Sequence, residues 1–398
     1  MIFYVETTVV KLLRNNDSAF VPVTGLTVFA IASGYLMSLI PLSMASFNID
    51  TIYASWLASA YYTGLLIGSM MIEPVIAKIG HRLSFIVFLL LLAATVVVLP
   101  FFPNKEIWLL IRCMAGIAVA GVFVVVESWL LIGDNPKERA KRLSFYMTSL
   151  YGGTTLGQLL IGPIGTQGML PFMIVSALLL LAILPPLFVR HGQPPPLHHQ
   201  SFSLKKITQF SKPAIVGCIT SGIVMGTIYG LMPLSLSQSH FNADQVGVLM
   251  AAVILGGMVI QPIISKLSVI MSKTFLLALV SLLGVFAVGV TYLFEHYIVT
   301  IVALALLGMS SFALYPVAIT LACDKLDSSY IVAASQVMLL SYSIGSAIGP
   351  LGAGHLMLQH YFNGQHNGLM SFFFIVLLAT AIYMLLASLR RKDRVLAS

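Results

Sequence analysis

Residues 107–133 read IWLLIRCMAGIAVAGVFVVVESWLLIG, twenty-seven residues with two formal charges, Arg112 near one end and Glu127 near the other. That length suits one helix across a bilayer. At about 100° and 1.5 Å per residue, Glu127 lies roughly 60° around the helix from Arg112 and roughly 22 Å along it, so one face carries both charges. On insertion scales each such side chain costs about 2.5 to 3.5 kcal/mol at mid-membrane. The charged face therefore looks into protein or a water-filled cavity, and the helix makes sense only inside a bundle.

The rest of the chain has the same character. Of its 398 residues 59% are hydrophobic and 9% charged, and the mean hydropathy of +0.98 is far outside the range of soluble globular proteins. This is an integral membrane protein, with the lipid bilayer as its first partner. The formal net charge of +8 comes from basic residues between apolar runs, with little aromatic interleaving, so no nucleic-acid partner is expected. Cys113, Cys218 and Cys323 lie in apolar segments without ligand spacing and read as small hydrophobes; neither a metal nor a cofactor is expected. Glu6 and Asp17, with no cleavage-site pattern nearby, argue against a removable signal peptide.

Apolar runs long enough to span fall at 22–46, 52–77, 84–102, 107–132, 143–165 and 169–189, then at 213–237, 244–265, 274–294, 297–322, 331–358 and 368–389. Twelve spans follow. If the N-terminus is cytoplasmic, 19 of the 21 Lys and Arg lie in inner segments, Lys105 lies in an outer loop and Arg112 within the membrane. Both termini are therefore expected in the cytoplasm. The loop RHGQPPPLHHQSFSLKKITQFSK at 190–212 divides the chain, and the expected domains are 1–190, a cytoplasmic linker 191–211, and 212–398. Within it, His198 and His199 read as solvated loop histidines, with no other ligands beside them.

The halves repeat. GSMMIEPVIAK at 68–78 aligns with GGMVIQPIISK at 256–266 at an offset of 188, pairing Gly68 with Gly256; PLS at 41–43 pairs with 233–235, and FNID at 47–50 with FNAD at 241–244. Gly153 and Gly157 pair with Gly345 and Gly349 at an offset of 192. Units related by an even number of spans share one orientation, which is the parallel repeat of transporters.

In VVVES at 124–128, GTTLGQLL at 153–160, SGIVMGTIYGLMPL at 221–234, LYPVA at 314–318 and LLSYSIGSAIGP at 339–350, the chain resembles the major facilitator superfamily over essentially its full length, and within it the YcaD-like bacterial transporters. The resemblance implies two pseudo-symmetric six-helix bundles around a central cavity, with alternating access. The superfamily's gate motif between helices two and three falls on EPVIAKIGHR at 73–82, where Lys78, Gly80 and Arg82 match. Glu73 stands where the first glycine belongs and Ala77 where the aspartate belongs, so Glu73 is the candidate substitute carboxylate at this gate. The antiporter-associated pattern of helix five is degenerate around Gly162 and Pro163, while GSAIGPLGAG at 345–354 fits it better but lies in helix eleven.

Arg112 sits where the resemblance places the helix-four arginine, a cavity cation able to hold an anionic group of a substrate. Its rival role is a structural ion pair or snorkelling. Glu127 is the candidate proton-coupling residue, since a carboxyl group whose access to water changes can load and release a proton. Tyr35, Tyr61, Gln158, Tyr229, Gln261, Tyr315, Gln336 and Tyr342 are the candidate substrate contacts, with Tyr62 and Tyr151 on the same helices, although each alone is more often packing. Neither a catalytic cluster nor a Walker motif is present, so the chain reads as no enzyme. The expectation is a monomeric secondary active transporter of the bacterial inner membrane, moving a small, possibly carboxylate-bearing organic solute with protons. A multidrug/proton antiporter is its nearest rival, and a membrane nutrient sensor without flux the rival from another class.

Overall fold

A computed structural model describes residues 20–131, 136–188, 211–239, 241–293, 296–324, 331–362 and 368–396. The expected linker 191–211, apart from Ser211, falls outside them, as do His198 and His199. Its long helices are α1 (Phe20–Ser43), α2 (Ala54–Phe101), α3 (Lys105–Leu131), α4 (Pro136–Leu159) and α5 (Leu170–Leu181) in the first half. The second half has α6 (Lys212–Gln238), α7 (Ala243–Ile270), α8 (Lys273–Leu293), α9 (Tyr297–Cys323), α10 (Ile331–Phe362) and α11 (Gly368–Leu396).

Ten segments among the described residues are long and apolar enough to cross a membrane. One of them, Thr51–Phe101, is 51 residues long, roughly 76 Å if straight, more than twice the hydrocarbon thickness. It is two crossings. The break is at Gly80, whose φ of 79° and ψ of 162° suit a residue without a Cβ. Helix α4 is not among the ten because its first turns carry Lys137, Glu138, Arg139, Lys141 and Arg142 and the remainder is rich in Ser, Thr, Tyr, Gly and Gln. It packs as a span against α1 all the same. The architecture is the all-helical membrane fold expected, consistent with twelve crossings.

Small residues fix the packing. A Cβ at Gly34 would collide with the Thr154 backbone, one at Gly157 with the Ile31 carbonyl, one at Gly64 with the Cys113 carbonyl and one at Gly116 with the Tyr61 carbonyl. Each contact recurs 192 residues later: Gly226 on Ser346, Gly349 on Ile223, Gly256 on Ala305 and Gly308 on Val253. Without a hydrophobic force between helices in lipid, such close backbone approach supplies the attraction. The register corrects the alignment at 188, which is one helical turn out, since Gly256 corresponds to Gly64 and not to Gly68. It corrects the FNID and FNAD pairing too. Asp50, which accepts from the Ile52 N–H at 3.0 Å, corresponds to Asn242, which caps α7 in a reciprocal box with Gln245.

The halves meet at one face of the bundle. At that sealed face a Cβ on Gly230 of α6 would strike the Ala58 Cβ of α2, one on Gly354 of α10 would meet the Ser55 side chain, and one on Gly247 of α7 the Gln158 carbonyl. At the opposite face α3, α4 and α10 part, leaving Glu127, Met147 and Leu339 exposed on the walls of the space between them. Lys78, Lys266 and the Lys273–Asp324 ion pair all lie on this open face.

Overpacking the seam costs about 1–3 kcal/mol, enough to shift a two-state equilibrium roughly five- to hundredfold. Gly230→Leu is therefore expected to bias the molecule toward opening at the sealed face. Labelling of a Ser55→Cys reporter by an impermeant maleimide from that side should accelerate by a similar factor, and an unchanged rate would show that the seam does not gate this face.

Candidate functional site

A cavity of about 460 Å³ runs between the halves from the sealed seam to the open face. From the first half it is lined by Tyr61, Tyr62, Arg112, Glu127, Tyr146 and Tyr151; from the second, by Tyr229, Gln261, Phe312, Tyr315 and Tyr342. Among the described residues, Arg112 and Glu127 are the only charged ones in the lining. They border the same space from opposite ends, as their positions on α3 require.

At the sealed end Arg112 is 9% exposed. Its guanidinium lies over the Tyr61 ring, 4.4 Å from the centroid, and its Nε has no acceptor. No carboxylate of the described residues pairs with it. Beyond it, toward the seam, lies a void of about 20 Å³ against Ala54, Leu57, Ala58 and Gly230, room for about one water. Arg112 thus forms part of the thin partition between cavity and sealed face.

At the open end Glu127 is exposed to the cavity and accepts a hydrogen bond from the buried Tyr146 hydroxyl at 2.7 Å. Tyr146 stands on α4, so the bond ties two helices of the first half. Between these ends the walls are aromatic. Tyr151 of α4 meets Phe312 of α9 edge-on at 5.4 Å, bridging the two halves, and Tyr229 reaches the same Phe312 at 6.2 Å. Tyr315 and Tyr342 stand edge-on at 5.3 Å, and Tyr61 and Tyr62 at 5.2 Å. Gln261 donates through Nε2 to the carbonyls of Gly257 at 3.2 Å and Phe312 at 3.3 Å.

Three of the expected substrate contacts lie elsewhere. Gln158 is fully buried between α1 and α4, where its Oε1 accepts from Ser38 at 2.7 Å and its Nε2 donates to the Gly34 carbonyl at 2.8 Å. Tyr35 is likewise buried, and its hydroxyl donates to the Gly165 carbonyl beyond the end of α4. Both satisfy the need of a buried polar group for a partner by packing rather than by holding a solute. Gln336 is exposed near the start of α10 and does not line the cavity.

The gate stretch is also rearranged. Arg82 donates through Nε to the Pro186 carbonyl and through Nη2 to the Leu187 carbonyl at 2.9 Å. These are free acceptors at the end of the short helix Leu184–Phe188, where a cation is favoured. Lys78 is exposed, Glu73 half-buried, and His81 buried with its ring 6.2 Å from that of Trp129. Arg82 thus ties the second arm of α2 to the last crossing of its own half.

The sequence profile of the Major Facilitator Superfamily matches residues 23–350. The chain belongs to this superfamily. An uncharacterized superfamily transporter of Enterobacter sp. (strain 638) is 34% identical over 372 residues, covering 92% of this chain and 94% of the relative. The uncharacterized transporter YcaD of Escherichia fergusonii is 34% identical over 340 residues, covering 85% and 88%. Among solved structures, the nucleoside transporter NupG superposes with a TM-score of 0.74 at 12% identity, covering 92% of this chain and 97% of that one. A D-xylose-proton symporter superposes at 0.73 and 14%, covering 92% and 96%. A bacterial homologue of the human lysosomal transporter Spinster, inward-facing and occupied, gives 0.73 and 16%, covering 93% and 96%. At these identities the structural likeness shows the shared fold. Membership makes this superfamily chain a multi-pass membrane transporter and not an enzyme.

An unpaired, desolvated guanidinium costs more than the roughly 0.5–2 kcal/mol its contact with Tyr61 returns. Arg112→Met is therefore expected to leave the thermal stability of the purified transporter unchanged or raised. A loss of several kcal/mol in Tm-derived stability would instead mark Arg112 as half of a structural pair.

Proposed function

We propose that this transporter is a secondary active carrier of the bacterial inner membrane that moves a carboxylate-bearing organic solute with protons by alternating access. One observation carries the reading: among the described residues, a cation without a carboxylate partner and a carboxylate border the same cavity, at opposite ends, between two halves that meet at one face. With the basic loops in the cytoplasm, the open face is the inner one and the cavity is loaded or emptied from inside. Arg112, 9% exposed and unpaired, presents a fork that matches a carboxylate. Lipophilic cations, the cargo of a multidrug antiporter, would meet that charge at the sealed end, where no carboxylate of the described residues pairs with it.

Glu127 is the proton site. Its carboxyl stands where cavity water meets the aromatic wall, and Tyr146 holds it by one hydrogen bond. Closing the open face would strip that water while opening the seam hydrates Arg112, so the protonation of Glu127 is tied to which face is open. Solute and proton then share one cycle without touching, because roughly 22 Å of helix separates their sites. The described gate residues Lys78, Gly80, Arg82 and Glu73 shape the cytoplasmic end of the first half, where the break at Gly80 and the clamp of Arg82 on α5's extension hold the second arm of α2.

Glu127→Gln keeps size and the capacity to accept from Tyr146 but removes the titration. It is expected to abolish pH-gradient-driven accumulation in proteoliposomes while solute counterflow persists. Equal accumulation by the variant and the parent at several pH values would remove Glu127 from coupling, and a solute that binds without any flux would favour the sensor reading.

A further inference from the structure

The chemistry of the lining goes further than a carboxylate. We infer that the cavity selects an aromatic monocarboxylate: a single planar acid group against Arg112, and a flat ring system among the tyrosines and Phe312. This rests on the transport reading for the place of the site but on independent observations for the class of cargo.

The charge count comes first. With one cation and one carboxylate in the lining among the described residues, a monoanion leaves the sealed end neutral, whereas a dianion or a phosphate monoester would bring a second negative charge that Arg112 does not match. Arg112 has no carboxylate partner among the described residues, its Nε lacks an acceptor and it is nine-tenths buried, so an acid group from outside completes a pairing that the fold leaves open.

The supply of neutral hydrogen bonds comes second. Sugars and nucleosides need many donors and acceptors, yet here the hydroxyls of Ser69 and Thr154 donate to the carbonyls of Leu66 and Leu150 on their own helices. The amide nitrogen of Gln261 is likewise engaged twice, with Gly257 and Phe312. The Ser221 and Ser343 hydroxyls stay buried in the lining without partners, and with the tyrosine hydroxyls they would return only part of the hydrogen bonds a polyol gives up to water.

The ring geometry comes third. Phe312 takes edge contacts from Tyr151 across the gap and from Tyr229 within its own half, while Tyr315 and Tyr342 form a second edge-on pair. Such walls offer both ring faces and ring edges to a planar guest, and a volume of about 460 Å³ admits a two-ring acid. The repeat makes the arrangement specific to this chain. The register that superposes the halves puts Leu304 at the place of Arg112 and Ile319 at that of Glu127, so the second half supplies aromatic walls and no charge.

The test uses the purified full-length transporter with naphthoate, its neutral amide naphthamide, the saturated decalin carboxylate, naphthalene dicarboxylate, uridine and xylose. Calorimetry and thermal shift should find naphthoate bound about tenfold or more tightly than each of the others, and Arg112→Gln should erase the preference for acid over amide. Equal binding of acid and amide, tighter binding of the saturated acid, the dianion or the polyols, or no binding of naphthoate overturns the inference. The wild-type comparison decides even if the variant does not fold. Naphthoate that binds selectively but shows no counterflow in proteoliposomes leaves the cargo class standing and sinks the transport reading. Proton-driven uptake of another solute that naphthoate fails to inhibit does the reverse.

Discussion

An ionised side chain cannot face hydrocarbon without a cost of several kcal/mol, and this chain places two on a single crossing, 15 residues apart. The architecture around α3 answers that constraint. Glycines on α2 and α3 let the two backbones touch at Gly64 and Gly116, which holds the charged face of α3 at a set angle to the cavity. The opposite surface of the helix is then free to meet its neighbours through Val, Ala and Trp side chains that are fully or nearly fully buried. The charges thus border a space that exists because the described residues of the halves do not close on each other at both ends.

Duplication explains the frame and not the function. Four glycine contacts repeat at one constant spacing, so both halves pack α1 on α4 and α2 on α3 by the same geometry as α6 on α10 and α7 on α9. The chemistry departs from the symmetry at the cavity wall. Tyr229 stands where the first half has Met37, Tyr315 where it has Phe123 and Tyr342 where it has Leu150. Among the described residues, charge in the lining is confined to one half while tyrosines come from both, so a solute between them meets the charge on one side and rings on each.

Much of this was legible along the chain because membrane helices have a strong local signature: length, apolarity and the bias of Lys and Arg between them. The same logic located Arg112 and Glu127, since a charge in an apolar run is conspicuous whatever packs on it. Register was not legible. Apolar helices repeat small residues every four positions, so a slip of one turn keeps Gly on the same face and aligns as well as the true match. Nor did residue type separate Gln158 and Tyr35, which lock α1 to α4, from Tyr229 and Gln261, which line the cavity, because every buried polar group seeks a partner and the partner is chosen by tertiary structure. Tyr146 was missed for the same reason: it is one tyrosine in the polar first half of α4 until Glu127 arrives from another helix. Phe312, the ring on which both halves converge, carries no polar atom to draw notice.

The rigid geometry of α3 has a consequence for the order of events. A helix that carries the cation near one face and the carboxylate near the other cannot hydrate or bury both at once while the halves rock as bodies about the cavity. In the arrangement seen, Glu127 meets the open space and Arg112 sits behind the Ala58–Gly230 contact with room for about one water. On the proposed cycle, reversing the rock would exchange these environments without moving either residue along its helix. The close contacts of the seam are made by glycine against alanine, serine and the Gln158 backbone. A seam of that kind gives close approach when shut and little to unlock when opened, which is what a cycle between two states of similar free energy requires.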